Sequence, residues 1–102
     1  MSKKILKAQT TVGEFTRSTS SDYTHIVVWN SPRVARFVNL VKSGDERAIR
    51  KSKNGNAARW LKDRGFGVTW HGSVAAAQKA VAGRFSWDKT EATLVGIYEV
   101  AA

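Results

Sequence analysis

The sequence predicts an α+β fold: a single domain over residues 1–102, with a small mixed, largely antiparallel sheet of about four strands and two to four helices packed mainly on one face. Three observations carry this. The run YTHIVVW is apolar on both of its alternating faces, as a covered central strand requires. Helical stripes with recognisable caps follow it. Strand-like runs then alternate with helix-like ones, in the order β-β-α-(α)-α-β-α-β.

Each element has a local reason. The opening stretch ILKAQTTVGEFTR is rich in Thr, Val, Phe and Ile and reads as extended chain, with Gly13 marking a bulge. Residues 16–22, TRSTSSD, are polar and suit a hairpin loop. In the strand over 23–29, Tyr23, His25, Val27 and Trp29 share one face, and Thr24, Ile26 and Val28 share the other. Ser31 then caps a helix with Pro32 in its first turn, where the missing N–H costs nothing. Val34, Phe37, Val38 and Val41 form its buried stripe, and Gly44 ends it.

DERAIRKSK opens with acids suited to a helix N-terminus and then turns basic. NGN at 54–56 interrupts it, Asn56 caps a further helix AARWLKDR, and Gly65 takes its C′ position. FGVTW, 66–70, is a short strand with Phe66, Val68 and Trp70 on one face. Ser73 caps the alanine-rich helix VAAAQKAVAG, which Gly83 stops; RFSWDKTE is a loop and ATLVGIYEV the last strand.

The charge balance points to a partner. Seventeen Lys and Arg face eight Asp and Glu, a net charge of +9, and an anionic partner would relieve that self-repulsion. Residues 42–64 hold eight of the cations and three of the acids, so over half of the excess lies in under a quarter of the chain. Lys42, Arg47, Arg50, Lys51, Lys53, Arg59 and Lys62 are the expected phosphate contacts. Arg47, Arg50 and Lys51 share a helix face by their spacing, and Asn54 and Asn56 add hydrogen-bonding amides. Trp87 stands in a polar loop with Arg84, Phe85 and Lys89, the pattern of aromatics beside cations on which single-stranded bases stack. The same loop could instead fold back over a sheet edge. Trp60 reads as a helix anchor, and Trp29 and Trp70 as core-margin residues. Two helices joined by a short turn also raise a helix-turn-helix, but AARWLKDR is barely two turns and offers anchors rather than base readers.

The functional expectation is a small basic nucleic-acid-binding protein, with DNA or RNA as partner, of a size and composition that suit a phage or plasmid accessory or regulatory protein. Two other readings are open. One is an interaction module or inhibitor whose basic face docks an acidic protein surface. The other is a small ribonuclease in which His25 and His71 face one phosphate as acid and base. The stretch LKDRGFGVTWHGS resembles the helix, Gly-Phe, strand and Gly-Ser segment of HicA-type mRNA interferase toxins. That family places its histidine after the Gly-Ser pair, whereas His71 precedes it. No catalytic constellation, cofactor or metal site is expected. Cysteine is absent, no His or carboxylate spacing fits a known metal site, and Gly65 and Gly67 precede a strand instead of following one. No apolar run is long enough for a membrane span or a secretory leader, so the expected location is the cytoplasm.

Overall fold

The computed structural model describes residues 3–101. Along them the chain forms β1 (Lys4–Thr10), β2 (Gly13–Thr19), β3 (His25–Asn30), α1 (Pro32–Lys42), α2 (Glu46–Lys51), α3 (Gly55–Lys62), β4 (Phe66–His71), α4 (Val74–Ala82) and β5 (Thr93–Glu99). The fold is α+β. Its strands make two antiparallel sheets, a β1–β2 hairpin and a three-stranded sheet ordered β4-β3-β5, where one mixed sheet was expected.

The fifth strand comes from the N-terminal stretch, which the sequence presents as a single extended segment. The chain reverses at Thr11-Val12, and Gly13 is no bulge. It closes a tight turn at φ +112°, a conformation costly for any residue with a Cβ. Thr10 Oγ1 holds the turn, donating to the Gly13 carbonyl at 2.7 Å and accepting from the Val12 N–H at 3.0 Å. Residues 16–19, expected in a loop, belong to β2. The alternation is faint because each strand buries one residue, Ala8 and Phe15, and the two lie directly opposite each other.

Three layers result. β3 is the buried centre, as its two apolar faces imply. Ile26 and Val28 pack with Ala8, Phe15, Phe66 and Trp70 beneath the hairpin, and Val27 and Trp29 pack with Val34, Ala77, Phe85 and Ala92 on the side of α4. Helices therefore cover one face of the sheet and the hairpin covers the other. Phe85 reaches the core because Gly67 lets it: a Cβ at that position would stand 2.6 Å from the ring. The ring stacks on Trp29 with centroids 6.3 Å apart.

The caps explain the helix ends. Ser31 Oγ accepts from the Val34 N–H, and the end of α1 is a Schellman motif, with Asp45 N–H on the Leu40 carbonyl and Gly44 N–H on the Val41 carbonyl. Asp45 caps α2 through the Ala48 N–H, and Ser73 caps α4 through the Ala76 N–H. α3 starts earlier than expected: its N-cap is Asn54, with no side-chain capping bond, and Asn56 lies inside the helix. At the end of α3 the C′ position falls on Arg64, one residue before the expected Gly65, which is also left-handed at φ +87°. At the end of α4 the left-handed position falls on Arg84, one residue after Gly83. Arg64 (φ +60°) follows the C-cap Asp63, and Arg84 (φ +61°) follows the C-cap Gly83. Each arginine is tied into the fold. Arg64 donates to the carbonyls of Val12 and Glu14 and lies over the Phe15 ring at 4.5 Å, latching the hairpin to α3. Arg84 donates to the carbonyls of Lys89 and Ala92 and closes the loop before β5.

No helix among the described residues is long and apolar enough to cross a membrane.

Candidate functional site

The basic side chains of the middle helices divide between two places. Arg47 and Lys51, one turn apart on α2, line a recess against Phe37 and Leu40 of α1. Arg50 turns back toward the Glu46 carbonyl at 3.5 Å. Lys42, Lys53 and Asn54 are exposed at helix ends. Asn56, Arg59 and Lys62 stand on α3 and face a cleft between that helix, β2 and the outer edge of β4.

This cleft brings cations and aromatic rings together. It consists of two adjoining recesses, of about 310 and 210 Å³, which share Arg17, Arg59, Asp63, Val68 and Trp70. β4 contributes three consecutive residues, Val68, Thr69 and Trp70, because it is an edge strand whose rim opens on the cleft. Arg17 lies over the Tyr23 ring at 5.0 Å, and that ring tilts against Trp70 with centroids 6.3 Å apart. On the far lip the Trp87 indole meets Trp60 edge-on at 5.6 Å and stays 45% exposed. Phe85, grouped with Trp87 as a stacking surface by the sequence, is 4% exposed and belongs to the core; its ring forms only the floor here. Arg84, though exposed, has its guanidinium engaged by backbone carbonyls.

Two features mark the electrostatics of the cleft. Among the described residues the ion pairs are Lys4–Asp22 and Arg36–Glu91, so Arg17, Arg59 and Lys62 have no carboxylate partner. Asp63, the C-cap of α3, is the acid in their midst and is 8% exposed. Its carboxyl accepts no hydrogen bond from the described residues, is not fully enclosed, and borders both recesses of the cleft. Burial pushes its pKa up to about 6, against the opposing pull of Lys62, Arg64, Arg59 and Arg17. A carboxyl so perturbed, in a cleft with convergent polar groups, is a functional-site signal.

A wider recess of about 480 Å³ between α1 and the 88–91 turn carries less of this signal. Its acids are occupied: Arg36 pairs with Glu91, and Asp88 accepts from the Ser31 hydroxyl and the Arg33 N–H.

The histidines meet by register. His25 stands directly opposite His71 on one side and Glu99 on the other, so all three share the sheet face toward α4. His25 Nδ1 lies 2.8 Å from Thr24 Oγ1, and His71 Nε2 lies 2.7 Å from Thr69 Oγ1. Burial holds the His71 pKa below its ordinary value. Thr69 also lines the cleft, so the pair sits behind its wall. Among the described residues no group of three or more His, Cys, Asp or Glu is arranged to hold a metal ion.

Of the residues singled out in the sequence, Asn56, Arg59, Lys62 and Trp87 converge on the cleft. Arg17, Tyr23, Asp63 and Trp70 were missed. Arg17 lies far away in sequence on a hairpin strand, and Asp63 reads as one acid diluting a basic run. Comparison with protein-family models, with curated proteins and with solved structures finds no match for this chain.

Proposed function

We propose that this chain binds nucleic acid, DNA or RNA, through the cleft between α3, β2 and β4. Arg17, Arg59 and Lys62 contact phosphates there, and Trp87 and Trp70 offer ring surface to bases. The observation that carries this reading is the meeting, in one cleft, of accessible aromatic rings with cations that have no carboxylate partner among the described residues. Arg47 and Lys51 on α2 extend the positive field beyond the cleft.

The test is binding of labelled random-sequence oligonucleotides over a range of salt concentrations. Three phosphate contacts give a log–log slope of about −2 on single strands, at about −0.7 per phosphate. Arg59→Ala makes the slope shallower by about one contact's worth. Tight binding without salt dependence sinks the reading. No binding at micromolar protein also sinks it, and leaves docking to an acidic protein surface as the use of the charge.

A second reading has one specific observation behind it, the facing of His25 and His71 across β3 and β4. Burial lowers the pKa of His71, and two facing imidazoles are the residue types that serve as base and acid in RNA phosphodiester cleavage. RNA left whole by the unmutated protein ends this reading. Cleavage that His25→Ala and His71→Ala both abolish establishes it.

A further inference from the structure

We infer that the cleft takes an unpaired guanine base of a single strand, with the Asp63 carboxylate accepting from the N–H groups of its Watson–Crick edge. This rests on the nucleic-acid reading above and names the ligand of the same site.

The inference starts from an unused acceptor. Asp63 is 8% exposed, has neither a hydrogen bond nor an ion pair from the described residues, and faces both recesses of the cleft. A carboxyl this enclosed is poorly hydrated, and its oxygens reach water through the cleft instead of bonding within the fold. A bound group that donates hydrogen bonds would complete it. What that group can be is narrowed by its neighbours. A free phosphate is repelled by the carboxylate itself. A bare cation or an amine is opposed by Arg17, Arg59, Lys62 and Arg64, the cations around Asp63. No metal cluster exists among the described residues. The ligand must therefore carry negative charge toward the rim and neutral N–H donors toward the floor. A nucleotide does both, with phosphate on the arginines and base edge on the aspartate.

The choice of base follows from donor geometry. An ionised carboxylate only accepts, through two parallel oxygens. Guanine presents two adjacent donors on its Watson–Crick edge, the ring N1–H and the exocyclic amino group. Adenine and cytosine each place an acceptor beside their amino group, and uracil and thymine flank one N–H with two carbonyls. Only guanine satisfies both oxygens at once. The edge it uses is occupied in a duplex, so the strand must be unpaired there. The recess of about 310 Å³, with Trp70 and Trp87 at its sides, is of the size of a small-ligand site and too narrow for a stacked double helix.

The experiment uses the full chain and fluorescence anisotropy of short labelled oligothymidine carrying one central guanine, inosine or thymine, in DNA and RNA backbones, above pH 7. The expected result is roughly tenfold tighter binding of the guanine strand than of the all-thymine strand. Inosine, which lacks the exocyclic amino group, loses most of that advantage. Asp63→Asn removes the guanine preference while still binding oligothymidine, because an amide offers one donor and one acceptor. Arg59→Ala weakens every strand alike and leaves the preference in place. Equal binding of guanine and thymine strands overturns the inference but not the nucleic-acid reading, as does a duplex bound as tightly as the single strand. Guanosine monophosphate competing as well as the guanine strand also overturns it, pointing to a nucleotide site. If no strand binds, the reading beneath falls with it. The DNA and RNA arms identify which backbone the rim accepts.

Discussion

Two aspartates are buried among the described residues, and the fold treats them in opposite ways. Asp88 is 6% exposed and fully engaged: its carboxylate accepts from the Ser31 hydroxyl at 2.7 Å and from the backbone N–H groups of Arg33 and Glu91, both at 3.2 Å. It thereby serves the N-terminus of α1 from a loop far away in sequence, and the Ser31 hydroxyl passes the network on to the Val34 N–H. The Ser31 hydrogen bond, aided by those two N–H groups and against the effect of burial, holds the Asp88 pKa below its ordinary value. Asp63 is 8% exposed and has no partner among the described residues, and burial lifts its pKa to about 6. The difference teaches that burial of a carboxyl is not itself a structural role. Asp88 holds the fold together, whereas Asp63 is tolerated by it.

The sharpest way to break this contrast is to remove Asp88. Asp88→Ala strips the acceptor from one buried hydroxyl and two N–H groups, and the expected loss is about 3 kcal/mol, at roughly 1 kcal/mol per bond. Urea denaturation at neutral pH measures it. A loss under about 1 kcal/mol would mean that water replaces the carboxylate freely, and that the corner is not the structural joint described. The stability that Asp88 confers is present above about pH 4 and disappears as pH falls through its lowered folded pKa, because the unfolded chain takes up the proton first.

Asp63 predicts the opposite sign. Between its ordinary 3.8 and its folded value of about 6, the folded chain holds a proton that the unfolded chain has lost. Its contribution to stability therefore falls as pH rises across that interval and stays low above it. Asp63→Asn keeps the shape and removes the charge, so it is expected to stabilise the protein by about 2 kcal/mol at neutral pH. The gain shrinks toward zero near pH 4. Denaturation midpoints of the two proteins at both pH values check this. A variant that is less stable at neutral pH would show that the carboxylate has a partner within the fold. A substitution that strengthens the fold while erasing base preference is the mark of a group kept for binding.

The same contrast explains what the sequence could tell. Ser31, Pro32, the Val34–Val38 stripe, Ser73 and the two-faced β3 announce themselves through local rules, and these elements stand where the spacing places them. The hairpin was missed because Thr11-Val12 lacks turn-forming residues, and the bond that holds it comes from a threonine side chain. Arg64 and Arg84 were counted among the cations, yet their guanidiniums satisfy carbonyls from other elements. The cleft is legible only in part. Arg59, Lys62 and Trp87 lie in a basic, aromatic-bearing half of the chain, but Arg17, Tyr23 and Trp70 join them only once the hairpin folds across the sheet. Nothing near Asp63 in sequence distinguishes it from Asp45, which is a helix cap. Burial is the distinction, and burial is a tertiary property.

The smallest effect expected is at Lys62, and it separates the electrostatics of the cleft from its packing. Of the charges that oppose the rise in the Asp63 pKa, Lys62 acts most strongly. Lys62→Ala therefore moves the Asp63 pKa further upward and widens the pH interval over which stability declines. Because the lysine is exposed and forms no ion pair with the described residues, the loss at neutral pH is a few tenths of a kcal/mol. The same substitution reduces the salt slope of oligonucleotide binding by about 0.7 on single strands. Titration of the Asp63 carboxyl by NMR, set beside binding at two salt concentrations, reads both effects in one variant. An unmoved Asp63 pKa together with an unmoved slope would place Lys62 outside the field of the cleft. The positive face would then begin at Arg59 on α3 and Arg17 on the hairpin, and its reach along α3 would end before Lys62.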